Sequence, residues 1–252
     1  TTWSTVSSPT SEGLRSVWGA ASDDVWAVGQ DGTIIHYNGS SWTTVTSPTS
    51  ENLIGVWGSA PNDVWAVGAN SSGITVHYDG TSWATTTGPE GNSLKRVWGA
   101  ASDDIWAMGD GGGSGVTARH YDGTNWSTVA TPTTGSNGFE GVWGSAPNDV
   151  WAVGYDGAGS DLSMHYDGTN WSFVANPVNG SLHGVWGSAS NDVWAVGDDG
   201  SVGDDGIIIH YNGTSWSTVT SPTTRRLLGI WGSASGDVWV VGYDGTIVRG
   251  SR

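Results

Sequence analysis

The tripeptide Val-Trp-Gly, once Ile-Trp-Gly, recurs six times along the 252 residues, at Trp18, Trp57, Trp98, Trp143, Trp186 and Trp231. Successive copies lie 39, 41, 45, 43 and 45 residues apart. Eight residues after each comes a second tryptophan, at Trp26, Trp65, Trp106, Trp151, Trp194 and Trp239. A third follows at Trp42, Trp83, Trp126, Trp171 and Trp216. A repeat of this length is one small supersecondary unit that buries its apolar faces only by stacking on its neighbours. The sixth copy of the third tryptophan does not follow Trp239, but Trp3 stands at the other end of the chain. Counted from Trp231 through the two ends to Trp18, the sixth interval is 39 residues, equal to the first. A repeat split in this way suits a ring, whereas a linear stack has no use for it.

Each repeat reads as four short strands. In the second copy these are Leu53 to Trp57, Asp63 to Val67, Ile74 to Tyr78 and Ser82 to Thr86, separated by Ser-Ala-Pro-Asn, a Gly-rich loop and Asp79-Gly80-Thr81. Asp-Gly and Asn-Gly between β-rich runs favour tight hairpins because both residues tolerate positive φ. Strand segments such as Val64-Trp65-Ala66-Val67 are apolar on both faces, as required of a sheet sandwiched between two others. Gly55, Gly141, Gly184 and Gly229, two positions before the first tryptophan, suit close approach near a crowded axis. The pattern predicts an all-β chain, a six-bladed β-propeller of four-stranded antiparallel blades. The blades fall at about 12–47, 51–88, 92–131, 137–176, 180–221 and 226–250, with residues 2–6 completing the last and closing the ring. Closure also hides sheet edges from unwanted pairing.

Composition narrows the function classes. Eight basic residues against 24 acidic ones give a net charge of −16, which repels phosphate backbones and anionic membranes. Nucleic acid is therefore excluded as an expected partner, and no apolar run reaches the roughly 18 residues of a membrane span. Cysteine is absent, so no disulfide staples the blades. The chain shows neither an initiator Met nor a signal peptide, which reads as a mature or excised form. With one lysine and abundant Ser and Thr, it suggests a secreted or cell-surface protein. Catalysis has no motif: there is no Gly-x-Ser-x-Gly elbow and no His-Glu-x-x-His. An enzyme is not expected.

Several short motifs carry a resemblance. Trp57-Gly58, Asp63-Val64-Trp65, His77-Tyr78 and Thr81-Ser82-Trp83-Ala84, with their counterparts in the other copies, resemble the repeats of bacterial propeller lectins of the Photorhabdus type and, more loosely, tectonin repeats. The match to WD40 repeats is poor, since His-Tyr-Asp stands where Trp-Asp belongs. The resemblance implies a propeller and a multivalent, non-enzymatic carbohydrate-binding role.

Antiparallel blades put the A–B and C–D turns on one face of the ring and the B–C and D–A loops on the other. The turns hardly change between copies, whereas the loops range from Gln30-Asp31-Gly32 to the nine residues Asp198 to Gly206. Equivalent ligand sites would lie on the turn face, where an aromatic ring can stack on a sugar and a polar group can bond its hydroxyls. The candidates are His36, Tyr37, Trp42, His77, Tyr78, Trp83, His120, Tyr121, Trp126, His165, Tyr166, Trp171, His210, Tyr211 and Trp216. The competing reading makes all of them packing and turn residues. Asp24, Asp63, Asp104, Asp149, Asp192 and Asp237 open each second strand, and bonding to turn amides explains them better than catalysis. Asp198, Asp199, Asp204 and Asp205 are weak candidates for Ca²⁺, with Asp156 and Asp161 behind them, but no fixed metal spacing is present and no cofactor is expected. Two partners fit: glycans on the turn face, or alternatively one surface protein on the variable, acidic loop face of an extracellular scaffold.

Overall fold

The structure is a computed structural model and describes residues 4–69, 73–88, 91–111, 118–132, 138–156, 161–201 and 205–250. It is a six-bladed propeller. Blade 1 holds β1 (Leu14–Ala21), β2 (Asp24–Gly29), β3 (Ile34–Tyr37) and β4 (Trp42–Thr44). Blade 2 holds β5 (Asn52–Ala60), β6 (Asp63–Ala69), β7 (Ile74–Tyr78) and β8 (Trp83–Thr85). Blade 3 holds β9 (Leu94–Ala101), β10 (Asp104–Gly109), β11 (Ala118–Tyr121) and β12 (Trp126–Val129). Blade 4 holds β13 (Gly138–Ala146), β14 (Asp149–Tyr155), β15 (Asp161–Tyr166) and β16 (Trp171–Phe173). Blade 5 holds β17 (Ser181–Ala189), β18 (Asp192–Asp198), β19 (Gly206–Tyr211) and β20 (Trp216–Val219). Blade 6 holds β21 (Leu227–Ala234), β22 (Asp237–Gly242) and β23 (Ile247–Gly250). Among the described residues no helix is long and apolar enough to cross a membrane.

Each blade is an antiparallel meander in register, with Trp57 opposite Trp65, Trp65 opposite His77 and Tyr78 opposite Trp83 in blade 2. The C–D hairpin is set by chemistry. Asp79 Oδ1 accepts from the Thr81 and Ser82 amides at 2.8 and 2.9 Å, and Gly80 sits at φ +89. Asn38, Asp122, Asp167 and Asn212 hold their own turns in the same way.

The core lies between blades. Val64, Trp65, Ala66 and Val67 are all buried, which is the double-sided burial expected of β6. One cluster joins Trp26, Val28 and Ile34 of blade 1 to Leu53, Val56, Val64, Val76 and Trp83 of blade 2, and the other clusters repeat it. The strand-A indoles of blades 1 to 5 each lie over a glycine of the next blade. A Cβ on Gly58, Gly99, Gly144, Gly187 or Gly232 would stand 2.5–2.6 Å from the Cη2 of Trp18, Trp57, Trp98, Trp143 or Trp186. Only glycine admits so close an approach.

The last blade differs from the sequence-based expectation. It has three strands among the described residues; of the segment 2–6 expected to complete it, residues 4–6 belong to no strand and the rest, Trp3 included, lie outside the described residues. Blade 6 likewise does not pack on blade 1. Trp231 is 62% exposed, and no indole stands over Gly19, where its five counterparts would place one.

Candidate functional site

On the turn face, one hydrogen-bonded unit recurs in the first five blades. The His36, His77, His120, His165 and His210 Nε2 atoms stand 2.5–2.7 Å from Oδ1 of Asp24, Asp63, Asp104, Asp149 and Asp192. Each imidazole also lies against the strand-B indole of its own blade, with ring centroids 4.1–4.6 Å apart. In blades 2, 4 and 5 the other carboxylate oxygen accepts from the serine two residues after the strand-A tryptophan, in the pairs Ser59–Asp63, Ser145–Asp149 and Ser188–Asp192, while blades 1 and 3 carry Ala20 and Ala100 there. The Trp65 and Trp194 Nε1–H groups donate to the same aspartates. Blade 6 keeps the unit with another side chain: Arg249 bonds Asp237 and lies 5.0 Å from the Trp239 ring centre.

This geometry corrects one sequence-based expectation. The recurring aspartates bond His, Ser and Trp side chains, while the hairpin amides are held by the Asp or Asn that follows each Tyr. Hydroxyl and imidazole both end on the carboxylate. A nucleophile–base relay needs the imidazole in the middle.

The strand-D indoles are closed in. Trp83, Trp126, Trp171 and Trp216 are 5–7% exposed, each edge-on to the strand-B indole of the preceding blade at 5.2–5.5 Å; Trp42 is half-buried. Tyr78, Tyr121, Tyr166 and Tyr211 lean on those same rings at 4.7–4.8 Å, and Tyr37 donates to the Gly39 carbonyl. Burial raises the Tyr121 and Tyr166 hydroxyl pKa values. The fifteen turn-face candidates thus share a face, the Trp and Tyr of blades 2 to 5 as parts of the inter-blade packing and the histidines as parts of the bonding within each blade.

The loop face is built otherwise. A cavity of about 570 Å³ runs along the axis, and Arg15, Ile54, Arg96, Glu140, His183 and Leu228 are among its walls. Three residues before the strand-A tryptophan, the six copies carry Arg15, Ile54, Lys95, Glu140, His183 and Leu228, all different. The flanking positions stay apolar, Leu or Phe before and Val or Ile two after. Lys95 bonds Glu140 at 2.5 Å and Asp110 at 2.7 Å. Burial works against its charged form, but the bonds to Asp110 and Glu140 outweigh this and hold its pKa above the ordinary lysine value. Nearby, Asp198 is buried between His183 at 2.7 Å and Arg226 at 3.1 Å. These wall residues escaped the motif search; only the contrast between one variable and several fixed positions marks them.

The acidic loop face also carries most of the chain's positive charge. Arg15, Lys95, Arg96, Arg119, Arg225 and Arg226, six of the eight cationic residues, stand at or just before the loop-side ends of their strands. The metal candidates do not converge. Asp198 turns inward, Asp199 accepts from the Ser201 and Asp205 amides, and Asp204 lies outside the described residues. Among the described residues no three His, Asp or Glu side chains are placed to hold a metal ion.

No family model matches the chain. No curated protein matches it either. Among solved structures, YCF48 bound to D1 peptide is similar at a TM-score of 0.72 with 16% identity, over 96% of this chain and 79% of that one. YCF48 from Cyanidioschyzon merolae is similar at 0.59 with 15% identity, over 96% of both chains. At such identities the likeness is one of fold; these neighbours are YCF48 propellers and lend the lectin resemblance no support.

Proposed function

We propose that this chain is a non-catalytic protein-interaction propeller whose partner docks on the loop face, over the axial cavity. The observation that carries this reading is the position three before each strand-A tryptophan. Six equivalent backbone sites carry six different side chains, of which all but Lys95 wall the axial cavity and Lys95 bonds Glu140 of that wall, while their neighbours stay apolar. A surface without internal symmetry fits one particular partner. A multivalent ligand would instead need equal pockets, and the equal features of this molecule are occupied in blade packing. The YCF48 structure with its bound D1 peptide shows that a propeller of this shape can hold a peptide.

The test is selection of peptides from a displayed random library against the whole chain, with a glycan array alongside. Selected peptides should lose binding at least tenfold on Arg96→Glu or Glu140→Lys. Thr81→Ala, on the turn face, should leave binding unchanged. Peptides indifferent to the loop-face changes, or a glycan whose binding depends on turn-face residues, would overturn the proposal.

A further inference from the structure

The six residues of the axial ring are unequal in what they have left to offer a partner. In blade order they are Arg15, Ile54, Lys95, Glu140, His183 and Leu228. Lys95 and Glu140 stand on neighbouring blades and neutralise one another at 2.5 Å, with Asp110 also on the lysine at 2.7 Å. His183 is tied to buried Asp198. Arg15 has no such neighbour. The ring residues on either side of it are Leu228 of blade 6 and Ile54 of blade 2, and neither carries a charge. Lys95, Arg96, Arg225, Arg226 and Arg249 each have a carboxylate oxygen at 2.5–3.7 Å. The exposed Arg15 guanidinium, which walls the axial cavity, has neither an ion pair nor a hydrogen bond among the described residues.

We infer that Arg15 anchors the loop-face partner, and that the partner brings to it a single Asp or Glu side chain flanked on both sides by apolar residues. This rests on the loop-face reading above and adds the chemistry of the contact. A guanidinium and a carboxylate pair through two parallel hydrogen bonds, a geometry that an ammonium group does not offer. The pair strengthens where apolar walls keep water away, and Leu228 and Ile54 are those walls.

Two further features narrow the partner. Because apolar ring residues stand on both sides of Arg15, the matching acid lies inside a segment, with an apolar neighbour before and after it. A terminal carboxylate has a chain neighbour on one side only. The net charge of −16 repels a partner that carries a run of acids, so one carboxylate against one guanidinium fits where a polyanion does not. On the opposite half of the ring, Lys95 with Glu140 and His183 with Asp198 are already satisfied and ask for no charge from the partner.

The probe is a synthetic peptide library, acetylated at the N terminus and amidated at the C terminus so that every charge belongs to a side chain, sampled against the whole chain. Bound peptides should be enriched in Asp or Glu between two apolar residues. For one such peptide, fluorescence polarisation should show binding about tenfold weaker on Arg15→Gln, the size expected for loss of a charge-assisted pair. Replacing the peptide's acid by its amide should have the same effect, and the two changes together should cost little more than either alone. Leu228→Asn should weaken the same peptide. Arg15 is exposed, so Arg15→Gln should leave the melting temperature unchanged, and Arg15→Glu should regain binding to a peptide with Lys in place of the acid. Peptides that lose binding on Arg96→Glu but are indifferent to Arg15→Gln overturn this inference and leave the loop-face reading standing. Peptides indifferent to both changes, or no bound peptide at all, overturn both. Binding that appears only when the same sequences carry a free C-terminal carboxylate overturns the internal acid.

Discussion

Replacing Trp65 by Ala tests the claim that strand-B indoles hold the blades together. Trp65 is 2% exposed, stacks on His77 at 4.1 Å, meets Trp126 edge-on at 5.5 Å, and donates to Asp63 at 3.1 Å. Truncation removes on the order of 150–200 Å² of buried apolar surface, about 4–5 kcal/mol at 25 cal/mol per Å². An unfolded chain that already hides part of this area reduces the figure, while an unfilled cavity adds to it. The expected loss is about 4 kcal/mol, or a fall in melting temperature of roughly 8–16 °C at 2–4 °C per kcal/mol. Urea unfolding followed by far-ultraviolet circular dichroism measures it without relying on tryptophan emission. Phe173→Ala is the comparator: an aromatic residue of strand D but 55% exposed, expected to cost less than about 1 kcal/mol. A double-mutant cycle with Trp126→Ala should return a coupling of about 0.5–1.5 kcal/mol from the edge-on pair. If Trp65→Ala costs no more than Phe173→Ala, the inter-blade account of the core is wrong.

The remaining predictions concern the turn face. Asp63→Ala leaves His77, Ser59 and Trp65 without their shared acceptor and should cost about 2–3 kcal/mol by chemical denaturation, whereas Arg249→His, which restores the residue of the other five blades, should change stability by less than about 0.5 kcal/mol. Asp79, Asp122 and Asp167 have pKa values held below the ordinary 3.8, first by the amides of Ser82, Asn125 and Asn170 and then by those of Thr81, Thr124 and Thr169. Because the folded value is the lower one, their contribution is fully present above the unfolded-chain pKa and is lost as pH falls through the folded value. Melts from pH 7 down to pH 2 should therefore fall less steeply below pH ~4 in a triple Asp→Asn variant, whose turns copy those of Asn38 and Asn212. Gly58→Ala places a methyl group 2.6 Å from the Trp18 ring and 2.8 Å from the Asp63 carbonyl oxygen. It should cost about 1–3 kcal/mol in the same denaturation assay, and a neutral result would show that blades 1 and 2 can separate at that point.

Much of this fold could be read from the sequence because each repeat must restate its own contacts. The spacing of Trp57, Trp65 and Trp83 located three strands of blade 2, and Ile74–Tyr78 was delimited to the residue. Boundaries drifted where hydrogen bonding outran side-chain pattern: β5 extends to Ala60 and β6 to Ala69, past the apolar run. The histidines were legible as a set but not in their role, since pairing with an aspartate 12 to 18 residues upstream depends on strand register. The axial wall was harder still. Arg15 and Glu140 share no motif, and only the ring brings them to one cavity.

The two faces answer different physical demands. On the turn face Asp63 is the shared acceptor of His77, Trp65 and Ser59, so its loss strands all three; the aspartate recurs in all six copies, whereas the serine gives way to Ala20 and Ala100 and the histidine to Arg249, which keeps both the hydrogen bond and the ring contact. At the axial mouth, the position three before the strand-A tryptophan carries a different side chain in each copy, held in some by polar partners, as Lys95 is by Glu140 and His183 by Asp198, outside the inter-blade core. Leu53 and Val56 fix the backbone on either side of Ile54; Leu94 and Val97 do the same for Lys95. A rigid frame can thus carry six different side chains around one ring, because the core contacts are made at the flanking positions. The proposed recognition of a single asymmetric partner would draw on that variety, which a ring of identical sugar pockets would have no reason to use.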